Sequence, residues 1–131
     1  MNLCTEVRAL AIADATIVGK IGGASAPRFW NEWQRTYTVP CAVMELGAMK
    51  ESDELDGQVG MVIADFTITC RAATETAAYE LWQAMRTKLA GYSGTFDLVL
   101  ESTDSTSTPL AEGSTDCWYD KIMNFHGIFT P

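Results

Sequence analysis

Val62-Ile63-Ala64-Asp65-Phe66-Thr67-Ile68-Thr69-Cys70-Arg71 is the stretch from which the fold is read. Val62, Ala64, Phe66, Ile68 and Cys70 fall on one side of an extended chain, and Asp65, Thr67 and Thr69 on the other. That is the period of a strand with one face on a core, and it predicts a strand over 59–71. Just beyond it the period changes. Ala78, Leu81, Trp82, Met85 and Leu89 form a single stripe of a helix over 75–90. Thr74 is placed to cap its N-terminus, with Glu75 in the first turn, where the helix dipole favours negative charge. Arg86 and Lys88 occupy the last turns, and Gly91 the C-cap.

Working outward, residues 41–49 predict a second strand, with Ala42, Met44, Leu46 and Ala48 on its apolar side and Glu45 opposite. The charged connection 50–57 ends in Asp56-Gly57, a hairpin-turn signal. Downstream, Phe96, Leu98 and Leu100 alternate with Asp97 and Glu101 in a strand over 95–101. The Ser/Thr-rich run 102–116 reads as a long polar connection, of the length that carries function or orders only on contact. The last strand, 117–129, is apolar on both faces: Tyr119, Met123, Phe125 and Phe129 on one, Trp118, Ile122 and Ile128 on the other. Such a strand must be covered on both sides, by its own domain or by a neighbour.

At the start, Leu3, Val7, Leu10 and Ala11 predict a helix over 3–13. Asp14 caps a short second helical turn carrying Ile17, Val18 and Ile21, which Gly22-Gly23 stops. Residues 25–38, rich in aromatics and arginine, read as a loop plus a short strand. The whole is an α+β fold: a mostly antiparallel β-sheet of about four to five strands with two main helices packed on one face. Its 131 residues make one domain, 1–131.

Composition narrows the function. The formal charge is −8, from 17 acidic and 9 basic residues, and the basic ones do not cluster, so gripping of nucleic acid is not expected. No apolar run is long enough to span a bilayer, and the N-terminus lacks the pattern of a secretory signal. Cys4, Cys41, Cys70 and Cys117 lie far apart without a CxxC pair, and free thiols are expected. His126, the only histidine, has no HxxxH or CxxC companion and no GxSxG elbow, so it reads as a partly buried strand histidine. Gly19-Lys20 is followed by Ile21 and makes no phosphate loop. Glu51, Asp53, Glu54 and Asp56 lack the order of an EF-hand loop and read as a solvated hairpin. No catalytic, metal or cofactor-binding residue is assigned.

What remains suits an assembly subunit. Trp30, Trp33, Arg35 and Tyr37 concentrate the residue types of interface hot spots, though they would equally cover a sheet edge within the monomer. Trp118, Ile122 and Ile128 are the other interface candidates.

The sequence resembles a family at this point. Val7-Arg8-Ala9-Leu10 ending near Asp14, a Gly-rich turn and Val39-Pro40 leading into a strand resemble the start of the small tail-completion, or tail-terminator, proteins of long-tailed bacteriophages. The centre is closer: Ala64-Asp65-Phe66-Thr67-Ile68-Thr69-Cys70-Arg71-Ala72, then Thr74-Glu75-Thr76-Ala77-Ala78-Tyr79-Glu80-Leu81-Trp82, then Leu89-Ala90-Gly91. The resemblance covers about residues 5–100, and the Ser/Thr-rich end departs from it. It implies a non-enzymatic virion protein at the head–tail interface, assembled in the host cytoplasm. The implied partners are copies of itself in a ring, commonly hexameric, the tail-tube protein it caps, and the head connector. DNA would pass through without specific binding, and no membrane or cofactor is implied. The acidic loop Glu51, Asp53, Glu54 and Asp56 would then face the lumen or the tube. The alternatives are another connector subunit, such as a stopper or adaptor, or a small ligand-binding α+β domain with Trp30 and Trp33 at its pocket.

Overall fold

In a computed structural model, which describes residues 2–51, 60–110 and 117–130, the chain forms three helices and one five-stranded sheet. The elements are α1 (Leu3–Ile12), α2 (Ala15–Lys20), β1 (Phe29–Trp30), β2 (Cys41–Glu51), β3 (Val62–Ala72), α3 (Glu75–Leu89), β4 (Phe96–Pro109) and β5 (Cys117–Phe129). The strand order is β1-β2-β3-β5-β4. Every pairing is antiparallel except the two-residue β1, which runs parallel to β2. The α+β reading therefore holds, with α2 as a short third helix.

The alternation in β3 does what its sequence implies. Val62, Ala64, Phe66, Ile68 and Cys70 are all buried. They meet Met123, Phe125 and Phe129 of β5, Phe96 and Leu98 of β4, and Ala42 and Met44 of β2. From above, Leu3, Val7 and Ala11 of α1 and Leu81, Met85 and Leu89 of α3 close the layer. Phe66 and Phe125, opposite one another in the register, stack with ring centroids 5.2 Å apart. Burying a side chain of this size contributes about 1.5–3 kcal/mol, so this single layer of apolar side chains carries the fold.

The helix ends follow local chemistry. Asn2 accepts from the Thr5 amide, Asp14 from the Thr16 and Ile17 amides, and Thr74 from the Ala77 amide, each satisfying donors that the first helical turn leaves open. α1 settles on the sheet at Gly127: a Cβ there would lie 2.4 Å from Leu3 Cδ2. A side chain at this position would make the end of Leu3 shift.

Two expectations are corrected. Residues 102–109 are not a connection but the second half of β4, paired with β5 from Ser102↔Asn124 to Pro109↔Cys117. The run can be polar because its side chains are exposed or half-exposed along its whole length. Its threonines nonetheless favour extended backbone, and pairing supplies the rest. Likewise Leu46 and Ala48 do not join the core. Both are exposed: Leu46 lies at the rim of the core beside the start of α1, and a bulge between Leu46 and Met49 breaks the alternation of β2. The Asp56-Gly57 turn, Asp53, Glu54 and the segment 111–116 lie outside the described residues.

Candidate functional site

All three helices pack on one side of the sheet, so the opposite face is where function must be sought. Its residues follow from the register. One row across the strands reads Lys50, Ile63, Ile128 and Asp97; the next Asp65, His126 and Val99; then Glu45, Thr67, Asn124 and Ser102; then Val43, Thr69, Ile122 and Asp104; then Cys41, Arg71, Asp120 and Thr106. Trp118 and Thr108 end the face.

One end of this face is closed. Asp120 is buried, and Arg71 grips it with both prongs: Nε donates to Oδ1 and Nη2 to Oδ2, each at 2.7 Å. Arg71 also donates to the Tyr37 hydroxyl at 2.7 Å and to Thr108 Oγ1 at 3.2 Å. Its guanidinium lies 4.2 Å from the centroid of the Trp33 ring. Trp33 Nε1 in turn donates to Glu45 at 3.1 Å. Burial works against the Arg71 charge, but the bonds to Asp120 and Tyr37 outweigh it and raise its pKa further. The 31–38 arm is thereby tied down over the sheet. Cys41, at the same end, is sealed, and burial pushes its thiol up to about 11.

The other end is open. His126 stands between two carboxylates, with Asp65 against Nδ1 and Glu101 against Nε2. Beside them a groove of about 440 Å³ runs across the face, lined by Glu45, Asp65, Thr67, Glu101, Ser102 and Asn124. With Asp97 and Asp104 nearby in the register, the acidic groups at this end outnumber the one basic residue of the same rows, Lys50.

The interface candidates divide accordingly. Trp33 and Tyr37 pack on Arg71 within the monomer, over the face of the central strand β3 rather than at a sheet edge. Trp30 is half-buried in β1, and Arg35 projects from the arm. Trp118, Ile122 and Ile128 all lie half-buried on the helix-free face. Glu51 ends β2, while the acidic loop beyond it is outside the described residues. Sequence reasoning missed the Arg71–Asp120 pair and the grouping of Asp65 and Glu101 around His126. The signal was present, since Asp65 and Arg71 share a parity along β3, but it acquires meaning only with the β3–β5 register. The four cysteines are free, as expected, and Cys70 lies in the core, where burial raises its thiol pKa strongly.

No protein-family model matches the chain, and no curated protein matches it. Among solved structures, a chain of the virion of a native gene transfer agent particle has the same fold. The TM-score is 0.63 at 16% identity, over 96% of this chain and 93% of that one.

Proposed function

We propose that this protein is a structural component of a phage-like virion, and more specifically a ring-forming tail terminator. It would cap the tail tube, end its polymerisation and join the tail to the head connector. The observation that carries the reading is the near end-to-end likeness to a chain of a gene transfer agent virion. It agrees with the phage resemblance of the sequence, which rests on other grounds.

The architecture supports assembly. The outer edge of β4 is satisfied at its start, where Gly91 donates to Leu98 and Leu98 donates to Tyr92. From Val99 to Pro109, no described residue pairs with it. On the opposite side of the sheet, β1 covers β2 only at Ala42 and Val43. Two open edges on opposite sides, with different sequences, suit head-to-tail contacts between copies, and such contacts close into rings. Trp118, Ile122 and Ile128, with Arg35 on the arm, are the proposed contributions of the open face. A face on which acidic groups outnumber the exposed basic ones is also suited to a passage for DNA, because it disfavours counterion-releasing contacts. The reading is non-enzymatic. A ligand pocket built on Trp33 is disfavoured, because that ring already packs against Arg71 and bonds Glu45.

The test is the mass of the purified protein in solution, alone and with its cognate tail-tube protein. A ring-sized species, or a monomer that becomes a ring on tube ends, is expected. A chain that stays monomeric and leaves tube length unchanged overturns the terminator role and favours a stopper or adaptor on the same scaffold.

A further inference from the structure

We propose that Asp65, His126 and Glu101 form a binding site for a divalent transition-metal ion of the zinc type. His126 Nε2 and the Glu101 carboxylate are its ligands, and Asp65 is the positioning residue for the imidazole.

Three adjacent strands bring the group together. Asp65 and His126 are direct partners in the β3–β5 register. The register shift between Leu100 and Ser102 inserts Glu101 as an extra residue in β4, at the place where it meets the ring. Bulges commonly re-aim a side chain in this way. The ligand atoms of all three residues lie within 4.8 Å of one another.

The imidazole decides the roles. A neutral ring carries one N–H and one lone pair, yet a carboxylate faces each nitrogen here. The nitrogen with the proton suits its carboxylate. The other sets a lone pair against an anionic oxygen, and either a second proton on the ring or a metal ion between the two removes that repulsion. Nδ1 is sealed from solvent, and its contact with Asp65 lacks the geometry of a directed hydrogen bond. A metal ion arriving with water ligands cannot enter there, so Nδ1 keeps the proton and Nε2 takes the metal. A carboxylate accepting from the protonated nitrogen of a metal-ligating histidine is the usual outer support of such sites, and Asp65 makes that bond once the metal orients the ring.

The surroundings favour a doubly charged ion. Glu45 lines the adjoining groove, whose volume of about 440 Å³ leaves room for the water that completes coordination. The net charge of −8 adds a field of the right sign. The carboxylate is a hard ligand, but the imidazole nitrogen is a borderline one. They suit zinc, nickel or cobalt over magnesium or calcium, which prefer oxygen alone.

The experiment uses the full chain after chelator dialysis, titrated calorimetrically with zinc chloride and separately with magnesium chloride, with ¹⁵N shifts of the His126 ring followed by NMR. One-to-one zinc binding through Nε2 is expected, with magnesium far weaker. His126→Gln should abolish it, Glu101→Gln should weaken it by about tenfold or more, and Asp65→Asn by about 10–100-fold. Glu101 is half exposed, so its variant reports on binding even if His126→Gln misfolds. Absence of saturable zinc binding by the unaltered chain overturns the proposal. So does binding that survives Glu101→Gln unchanged, which would move the metal to the cysteines or the acidic hairpin, and so does coordination through Nδ1.

Discussion

Two polar clusters occupy the same face of the same strands, and they differ in almost nothing except cover. Arg71–Asp120 links β3 to β5 and reaches β4 through Thr108; Asp65–His126–Glu101 links the same three strands a few residues away. In the first, the side chains are 11% and 4% exposed. In the second, they are 31% to 51% exposed. The arm carrying Trp33 and Tyr37 closes the first, and no described residue closes the second. A charged cluster sealed from water with every group answered becomes scaffold. One left half in water contributes little to stability and stays available to a ligand.

The largest expected effect breaks the first cluster. Asp120→Ala leaves the Arg71 guanidinium buried without its carboxylate, at a cost of about 3–5 kcal/mol, read as a fall in the urea midpoint with little change in slope. Replacing both partners at once, Arg71→Met with Asp120→Leu, should recover most of that loss, because the pair itself is not the source of net stability. A double variant as unstable as the single one would mean that Arg71 stabilises mainly through Tyr37 and Trp33.

Next in size is an alkaline effect at the same end. Cys41 has its thiol pKa raised by burial from 9.0 to about 11. The folded state therefore holds a proton that the unfolded chain gives up sooner. The contribution is complete below pH 9 and is lost as pH rises from 9 toward 11. It amounts to about 2–3 kcal/mol at one pKa unit per 1.36 kcal/mol. Denaturation at pH 8 and pH 10.5 should show the loss, and Cys41→Ala should shrink it. The buried Cys70 adds to the loss in the same direction, so the variant removes only part of it.

The helix-covered face was the more legible in sequence and the helix-free face the less. β3, α3 and the first half of β4 announce themselves because each has one apolar side and one polar side. The second half of β4 does not, since Ser102, Asp104, Thr106 and Thr108 and their alternates are all polar. Only the pairing with β5 makes that run a strand. Leu46 misleads for the opposite reason: an apolar residue in phase with the core lies at its rim, where the start of α1 leaves it half exposed. The clusters were invisible because a register is not a local property. Asp65 and His126 are adjacent in space only once β3 and β5 are aligned, and the bulge that brings in Glu101 has no mark of its own in the sequence.

Smaller effects sharpen the contrast. Trp33→Ala removes the aromatic cover from Arg71, a loss of about 0.5–2 kcal/mol, and should speed exchange of protons around the arm more than it lowers the urea midpoint. Glu101→Gln, in the absence of metal, should change stability by no more than about 0.5 kcal/mol, because its carboxylate is half in water and the strand around it stays paired. If that substitution instead cost as much as Asp120→Ala, the His126 cluster would be scaffold after all, and the difference between the two ends of the face would lie in geometry rather than in cover. If it is neutral to stability yet lowers zinc affinity by tenfold, the same side chain has been shown to serve a ligand and not the fold.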